Sequence, residues 1–311
     1  MQLFGRKDRL KSPKLSVGVI GLGIMGGAMA RALIGAGFAV CGYDPATAAS
    51  RRMRRAGGAP LVSSTAVADR ADVLVTSLPT SDALEDAVEA IARAKRRPAG
   101  RRVLIETSTL PLADKRRART RLARAGWTAL DCPISGTAVR LKERAWTIFA
   151  SGDKRALERV GPVLEVFTDN VPYVGGYGDG IKMKFIANHL VAILNVASAE
   201  AITFARRMRL DPRRVLELFG ASPVVGTGVL RLRGRFMVER RYRPATMKVE
   251  VWQKDMRVIG DMARAVGAPT PLFSACAPVF DEAMAQGYAD ADTASVYEVL
   301  GRAAGRARHA G

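Results

Sequence analysis

The chain has 311 residues, 48% of them hydrophobic and 25% charged, with a formal net charge of +20. That length holds two domains of ordinary size, and the composition excludes a disordered or fibrous chain. No uninterrupted apolar run reaches membrane-spanning length, and Met1 to Lys14 is basic without the apolar core of a signal sequence, so a cytoplasmic location is expected. The three cysteines (Cys41, Cys132, Cys276) and two histidines (His189, His309) lack metal-ligand spacing, so neither a disulfide framework nor a metal site is expected.

In chain order, Leu15 to Ile20 reads as a buried parallel strand. It runs into Gly21-Leu22-Gly23-Ile24-Met25-Gly26 and an apolar helix from Ala28 to Ala36. This is G-x-G-x-x-G in its strand–turn–helix setting: a tight turn, a bare backbone for a pyrophosphate, and close helix–strand packing. The phosphates would sit on the helix N-terminus, whose free N–H groups and dipole favour negative charge. Phe38 to Tyr43 is a second strand and Asp44 ends it, about 20 residues on, where an acid takes ribose hydroxyls and repels a 2′-phosphate. That favours NAD over NADP, although Arg51 and Arg52 just beyond could receive such a phosphate.

The αβ alternation continues with strands at 71–76, 102–106 and 127–130, helices from Asp82 and after Pro111, one further strand over 146–151, a helix over 153–167 and a short strand at 171–174. In a doubly wound sheet, ligands lie beyond the carboxyl ends of the strands. Leu78-Pro79, Thr107-Ser108 and the segment Asp131 to Thr137 are therefore expected around the cofactor. Beyond Gly180 the pattern is helical: 180–207, 211–219, 226–239, 247–265, 270–285 and 292–303, separated by proline and glycine. The expected architecture is an α/β Rossmann-like doubly wound sheet followed by an all-α domain, joined by a long interdomain helix. The expected division is a basic tail over 1–14, a dinucleotide-binding domain over 15–177 and a helical domain over 178–311.

The segment from Gly178 to His189 passes from a glycine-rich loop into the long helix, with Asp179 as the expected N-cap. At about 100° per residue, Lys184, Asn188 and then Asn195 share one face, while Lys182 points elsewhere. A polar stripe on an otherwise apolar helix should face a cleft, expected between the sheet edge and the helical domain.

The positive charge is carried largely by arginine pairs: 51–52, 54–55, 96–97, 101–102, 116–117, 206–207 and 213–214. They fall on outer helix faces and turns without interleaved aromatics, so a solvated surface rather than a nucleic-acid partner is expected.

With these residues collected, the chain resembles the β-hydroxyacid dehydrogenases: 3-hydroxyisobutyrate dehydrogenase, the tartronate semialdehyde and glyoxylate/succinic semialdehyde reductases and, more distantly, 6-phosphogluconate dehydrogenase. The resemblance covers Leu15 to about Leu300. It rests on GLGxMG with Met29, Ala30 and Leu33, on DxPxSG at Asp131, Pro133, Ser135 and Gly136, on GxGxxxKxxxN at Gly178, Gly180, Lys184 and Asn188, and on Lys254-Asp255. It implies that Lys184 is the catalytic acid/base, that Ser135, Gly136, Thr137 and Asn188 hold a small hydroxy acid or semialdehyde, and that Lys254 closes on the cofactor. It also implies a homodimer or homotetramer packed through the helical domain. Thr137 stands where the family often has glycine, and Ala187 where it often has asparagine. Both changes fall at the substrate end. Two alternatives stay open: a reductase of an imine or of a phosphorylated or sulfonated sugar acid, and a non-catalytic protein binding dinucleotide or nucleic acid.

Overall fold

The computed structural model describes residues 15–95 and 102–306. The basic tail, Arg96-Arg97, Arg101 and His309 lie outside the described residues. The chain divides into two compact units, with the division between Lys184 and Phe185.

In the first unit, β1 (Ser16–Ile20), α1 (Ile24–Gly35), β2 (Ala39–Tyr43), α2 (Thr47–Arg55), β3 (Ala59–Pro60) and α3 (Ser64–Arg70) form the first half. Then come β4 (Val73–Thr76), α4 (Ser81–Ala92), β5 (Arg102–Glu106), α5 (Leu112–Arg124) and β6 (Trp127–Asp131). The hairpin β7 (Ile134–Ser135) with β8 (Thr147–Ile148), β9 (Ala150–Ser151), α6 (Lys154–Leu164) and β10 (Tyr173–Gly175) complete the unit, before α7 (Asp179–Arg207). The main sheet has eight strands in the order β10-β9-β6-β5-β4-β1-β2-β3. From β3 to β6 all pairings are parallel, and β9 joins β6 antiparallel. The strands are apolar on both faces because helices cover both sides: one core holds Val17, Val19, Val75 and Ile105, the other Ile20, Leu74 and Leu104.

Where the chain leaves β3 and returns to β4, connections on the two sides of β1 run in opposite directions. This reversal opens the crevice in which doubly wound sheets hold ligands, beyond the carboxyl ends of β1 and β4. Three expectations are corrected. The strand over 146–151 is two short pieces, β8 and β9, which serve different sheets. The first helix starts at Ile24, four residues earlier than its apolar run. Arg102 is not a surface arginine: it is buried, its guanidinium 4.9 Å from the Trp127 ring centroid and donating to the Ala68 carbonyl. The arginines of α2 and those at 116–117, 206–207 and 213–214 are exposed as expected.

The second unit contains the remainder of α7 with α8 (Pro212–Ala221), α9 (Gly228–Glu239), α10 (Val249–Ala265), α11 (Pro271–Ala285), a single 3-10 turn at Thr293–Ser295 and α12 (Val296–Arg306). The helix expected over 292–303 is thus that turn followed by α12, because Asp292 caps the turn through the Ala294 N–H. Val196, Ile202, Met237, Trp252, Ile259, Phe273 and Phe280 are among the buried side chains. Arg233, buried, pairs with Asp292, which also accepts the Thr246 N–H at 2.8 Å. By length and composition α7 could cross a membrane. Its buried asparagines, however, are partnered inside the helical unit, as for the core helix of a folded domain.

Candidate active site

The glycine-rich loop is shaped by sterics. Gly21 has φ +87°, and a Cβ there would lie 2.2 Å from the Ser77 carbonyl oxygen. A Cβ on Gly26 would lie 1.9 Å from the Gly21 carbonyl oxygen. A Cβ on Gly23 would meet nothing within 4 Å, so the second glycine faces open space. No side chain caps α1, and its first turn holds no acid. By contrast, Ser63, Thr80 and Asp153 cap α3, α4 and α6. A clear approach to an uncapped positive helix end fits a pyrophosphate. Leu22, Ile24 and Met25 follow the same turn, Ile24 exposed and Leu22 buried. Asp44 stands at the end of β2, where it accepts the Leu22 N–H at 2.7 Å and the Ala46 N–H at 2.8 Å. Together these groups fit a dinucleotide.

On the other side of the crevice, Leu78 is half-buried and Pro79 exposed. Leu78 donates its N–H to Ser108 Oγ at 2.8 Å, and Thr107 Oγ1 donates to the Thr76 carbonyl at 2.7 Å. The loops after β4 and β5 are thereby stitched to each other.

Ser135 pairs with Thr147 in the β7–β8 hairpin. Gly136 has φ +149°, and a Cβ there would lie 2.3 Å from Trp146 Cδ1. The Trp146 indole N–H donates to the Thr137 carbonyl at 2.8 Å, so the tryptophan supports the loop from beneath. Thr137 Oγ1 is buried without a hydrogen-bond partner.

The start of α7 is held from outside the helix. The Gly180 N–H donates to Ser151 Oγ at 3.0 Å and the Ile181 N–H to Asp131 Oδ2 at 2.8 Å. Asp179, expected as N-cap, instead lies in the first turn and pairs with Lys182 at 2.8 Å, an ion pair that holds its carboxyl below the usual range. Gly180 must be glycine, since a Cβ would lie 2.5 Å from the Phe149 and 2.6 Å from the Asp131 carbonyl oxygens. One turn on, Lys184 is 8% exposed, whereas Lys182 is exposed.

Asp131 belongs to a cluster that the sequence reading missed. Lys115 Nζ lies 2.5 Å from Glu106 Oε2 and 2.5 Å from Asp131 Oδ1, with all three side chains at most 1% exposed. Burial opposes the Lys115 charge, but the two carboxylates outweigh it and raise its pKa above the ordinary lysine value. The available signal was Lys115 on the buried stripe of α5, with Leu112, Ala118 and Leu122. Cys132, beside Asp131, is fully buried and its thiol is pushed up by burial first and then by Asp131, so it is packing.

In the helical unit, Asn188 and Asn195 are 4% and 1% exposed. Asn188 Nδ2 donates to Asp255 Oδ2 at 2.9 Å, and Asp255 Oδ1 lies 3.2 Å from Lys254 Nζ. Asn195 donates to the Thr293 carbonyl at 3.0 Å, a fastening inside the helical fold. His189 stacks on Phe273 at 5.1 Å, off the polar stripe.

Residues 16–175 match the NAD binding domain of 6-phosphogluconate dehydrogenase, and residues 178–300 match the NAD-binding domain of NADP-dependent 3-hydroxyisobutyrate dehydrogenase. The chain belongs to the β-hydroxyacid dehydrogenase family. It is 28% identical to 2-hydroxy-3-oxopropionate reductase of Escherichia coli K12, over 92% of this chain and 97% of that enzyme. It is 29% identical to L-threonate dehydrogenase of the same organism, over 91% and 94%. The 3-hydroxyisobutyrate dehydrogenase of Mycobacterium tuberculosis, solved with L-serine, superposes with a TM-score of 0.80 at 26% identity, over 93% of this chain and 99% of that one. The protein is an NAD(P)-binding dehydrogenase or reductase acting on a hydroxyl-bearing carbon.

Proposed function

We propose that this dehydrogenase interconverts a small 3-hydroxy acid and its semialdehyde, with Lys184 as general acid/base. The observation that carries the reading is the burial of Lys184 one turn beyond the anchored start of α7, while its neighbour Lys182 is exposed. A desolvated lysine can trade a proton near neutral pH, which a solvated one does poorly. When bound, the nicotinamide supplies or accepts the hydride. Lys184 takes the hydroxyl proton in oxidation and returns it to the carbonyl oxygen in reduction. Asn188, its amide oriented by Asp255, holds the substrate oxygen, and the Ser135-Gly136-Thr137 segment holds the carboxylate through its main-chain N–H groups. Lys254, braced by Asp255, attends the cofactor.

Gly21 to Gly26 cradle the pyrophosphate, Leu78, Pro79 and Thr107 flank the nicotinamide half, and Asp44 reads the ribose, which favours NAD. NADP is the second reading, because the exposed Arg51 and Arg52 stand just beyond Asp44, where they could receive a 2′-phosphate. In this reading the dinucleotide-binding domain is 15–177 and the helical domain 178–311. The protein is cytosolic and a homodimer or homotetramer, an association supported by an exposed apolar stripe on α7 (Ile186 59%, Leu190 52%, Phe204 65%). Turnover of 3-hydroxyisobutyrate, L-threonate and 2-hydroxy-3-oxopropionate, each with both nucleotides, tests the reaction. Reduction or oxidation of at least one supports it; activity confined to imines or phosphorylated sugar acids refutes it.

A further inference from the structure

The buried charges under the carboxyl edge of the sheet form one connected network. Lys115 Nζ, besides its two carboxylates, donates to the Ser108 carbonyl at 2.9 Å. Ser108 returns its N–H to Glu106 Oε1 at 2.8 Å, and its hydroxyl accepts the Leu78 N–H. Tyr177 Oη donates to the Lys115 carbonyl at 3.0 Å, just before α7. Asp131 takes the Ile181 N–H, and Ser151, which donates to the Asp131 carbonyl at 2.9 Å, takes that of Gly180. One ammonium thus ties together the loops after β4 and β5, the end of β6 and the first turn of α7.

Three buried charges are a costly way to hold a fold, since a well-packed apolar set of similar volume is commonly as stable. What such a set cannot do is grip two main-chain N–H groups at a defined point. Two carboxylates against one lysine leave a net negative charge, and that charge meets the positive end of α7. We propose that the Lys115–Glu106–Asp131 cluster fixes the register of α7 against the sheet edge, making Asp131 the positioning residue for Lys184. The inference rests on the assignment of Lys184 as acid/base. Asp131 acts through the Ile181 N–H, three residues before that lysine. A displacement of about 1 Å at a reacting group costs about a hundredfold in rate. Substrate need not touch Asp131 for its loss to be felt.

The test compares Asp131→Asn, Ser151→Ala and Lys184→Ala in the full chain, using the best hydroxy acid of the panel above and NAD+. For Asp131→Asn the expected result is a fall in kcat of about a hundredfold, with NAD+ affinity close to wild type and faster amide exchange in the peptide 179–184. In the Lys184→Ala background the same substitution should lower the residual turnover little further, because the path through the lysine is already gone. Ser151→Ala leaves the ion cluster intact, so it decides the matter where Asp131→Asn does not fold; its kcat should fall by about tenfold, as for one lost anchoring bond. Wild-type kcat in folded Asp131→Asn or in Ser151→Ala, or an equal proportional loss with and without Lys184, overturns the inference while leaving the role of Lys184 standing. Full turnover in Lys184→Ala alone overturns that role, and this inference with it.

Discussion

The carboxylate of Asp44 accepts the main-chain N–H of Leu22 at 2.7 Å, so the acid at the end of β2 also holds the glycine-rich loop in shape. In the proposed reading, where Asp44 also reads the ribose, selectivity and loop geometry meet in one side chain. Asp44→Ala should weaken NAD+ binding by about 1.5–3 kcal/mol, the range for a hydrogen bond to a charged group. It should gain less NADP+ affinity than removal of a repelling charge alone would give, because the loop that receives both nucleotides is loosened. Calorimetric titration with the two nucleotides checks this; unchanged NAD+ affinity would contradict it.

The glycines of the loop should separate into two kinds. Gly26→Ala forces a Cβ against the Gly21 carbonyl and should cost about 1–3 kcal/mol of stability, read as a lower unfolding midpoint. Gly23→Ala has room and a negative φ of −64°, so the protein should fold as the parent does. Its nucleotide affinity should nevertheless drop tenfold or more, about 1.4 kcal/mol, because the methyl occupies the phosphate approach.

Much of this was readable from the chain because its signals are local. The strand–glycine–helix passage at Gly21, the strand ends at Asp44 and Glu106, and the proline and glycine breaks between helices each act within a few residues. Two-residue strands such as β3 and β7 carry too little alternation to be seen. Partnerships were also hidden. Lys115 is an ordinary helix former until folding brings Asp131 beside it, and Asp255 lies 67 residues from the Asn188 it holds. Asp179 satisfied every local rule for an N-cap, yet the start of α7 took its acceptors from β6 and β9 instead.

The buried cluster predicts a distinctive pH response. Lys115, with its pKa raised, contributes stability that is fully present below the unfolded value of about 10.4 and is lost only as pH rises through the higher folded value. Wild-type stability should therefore lose nothing from this group between pH 6 and about 10. Lys115→Met leaves two carboxylates buried without their cation and should cost about 3–5 kcal/mol at neutral pH. Urea unfolding of both proteins at pH 7 reads the difference; equal stability would contradict it.

Asp255→Ala should act in the helical domain. It strips the buried Asn188 amide of its acceptor, which should cost about 1–3 kcal/mol of stability. It should also raise the substrate KM, since the Asn188 amide is no longer oriented. Asp255→Asn keeps an acceptor oxygen and should recover most of the stability; thermal unfolding and steady-state kinetics on the pair separate the two effects.

The role of Lys184 is tested most directly by Lys184→Ala, assayed for hydroxy-acid turnover and, in the same preparation, for NAD+ binding. Loss of turnover by about a hundredfold or more, within the 10²–10⁴ range of general acid–base catalysis, with nucleotide affinity unchanged, is the predicted result. Turnover at the wild-type level would contradict it.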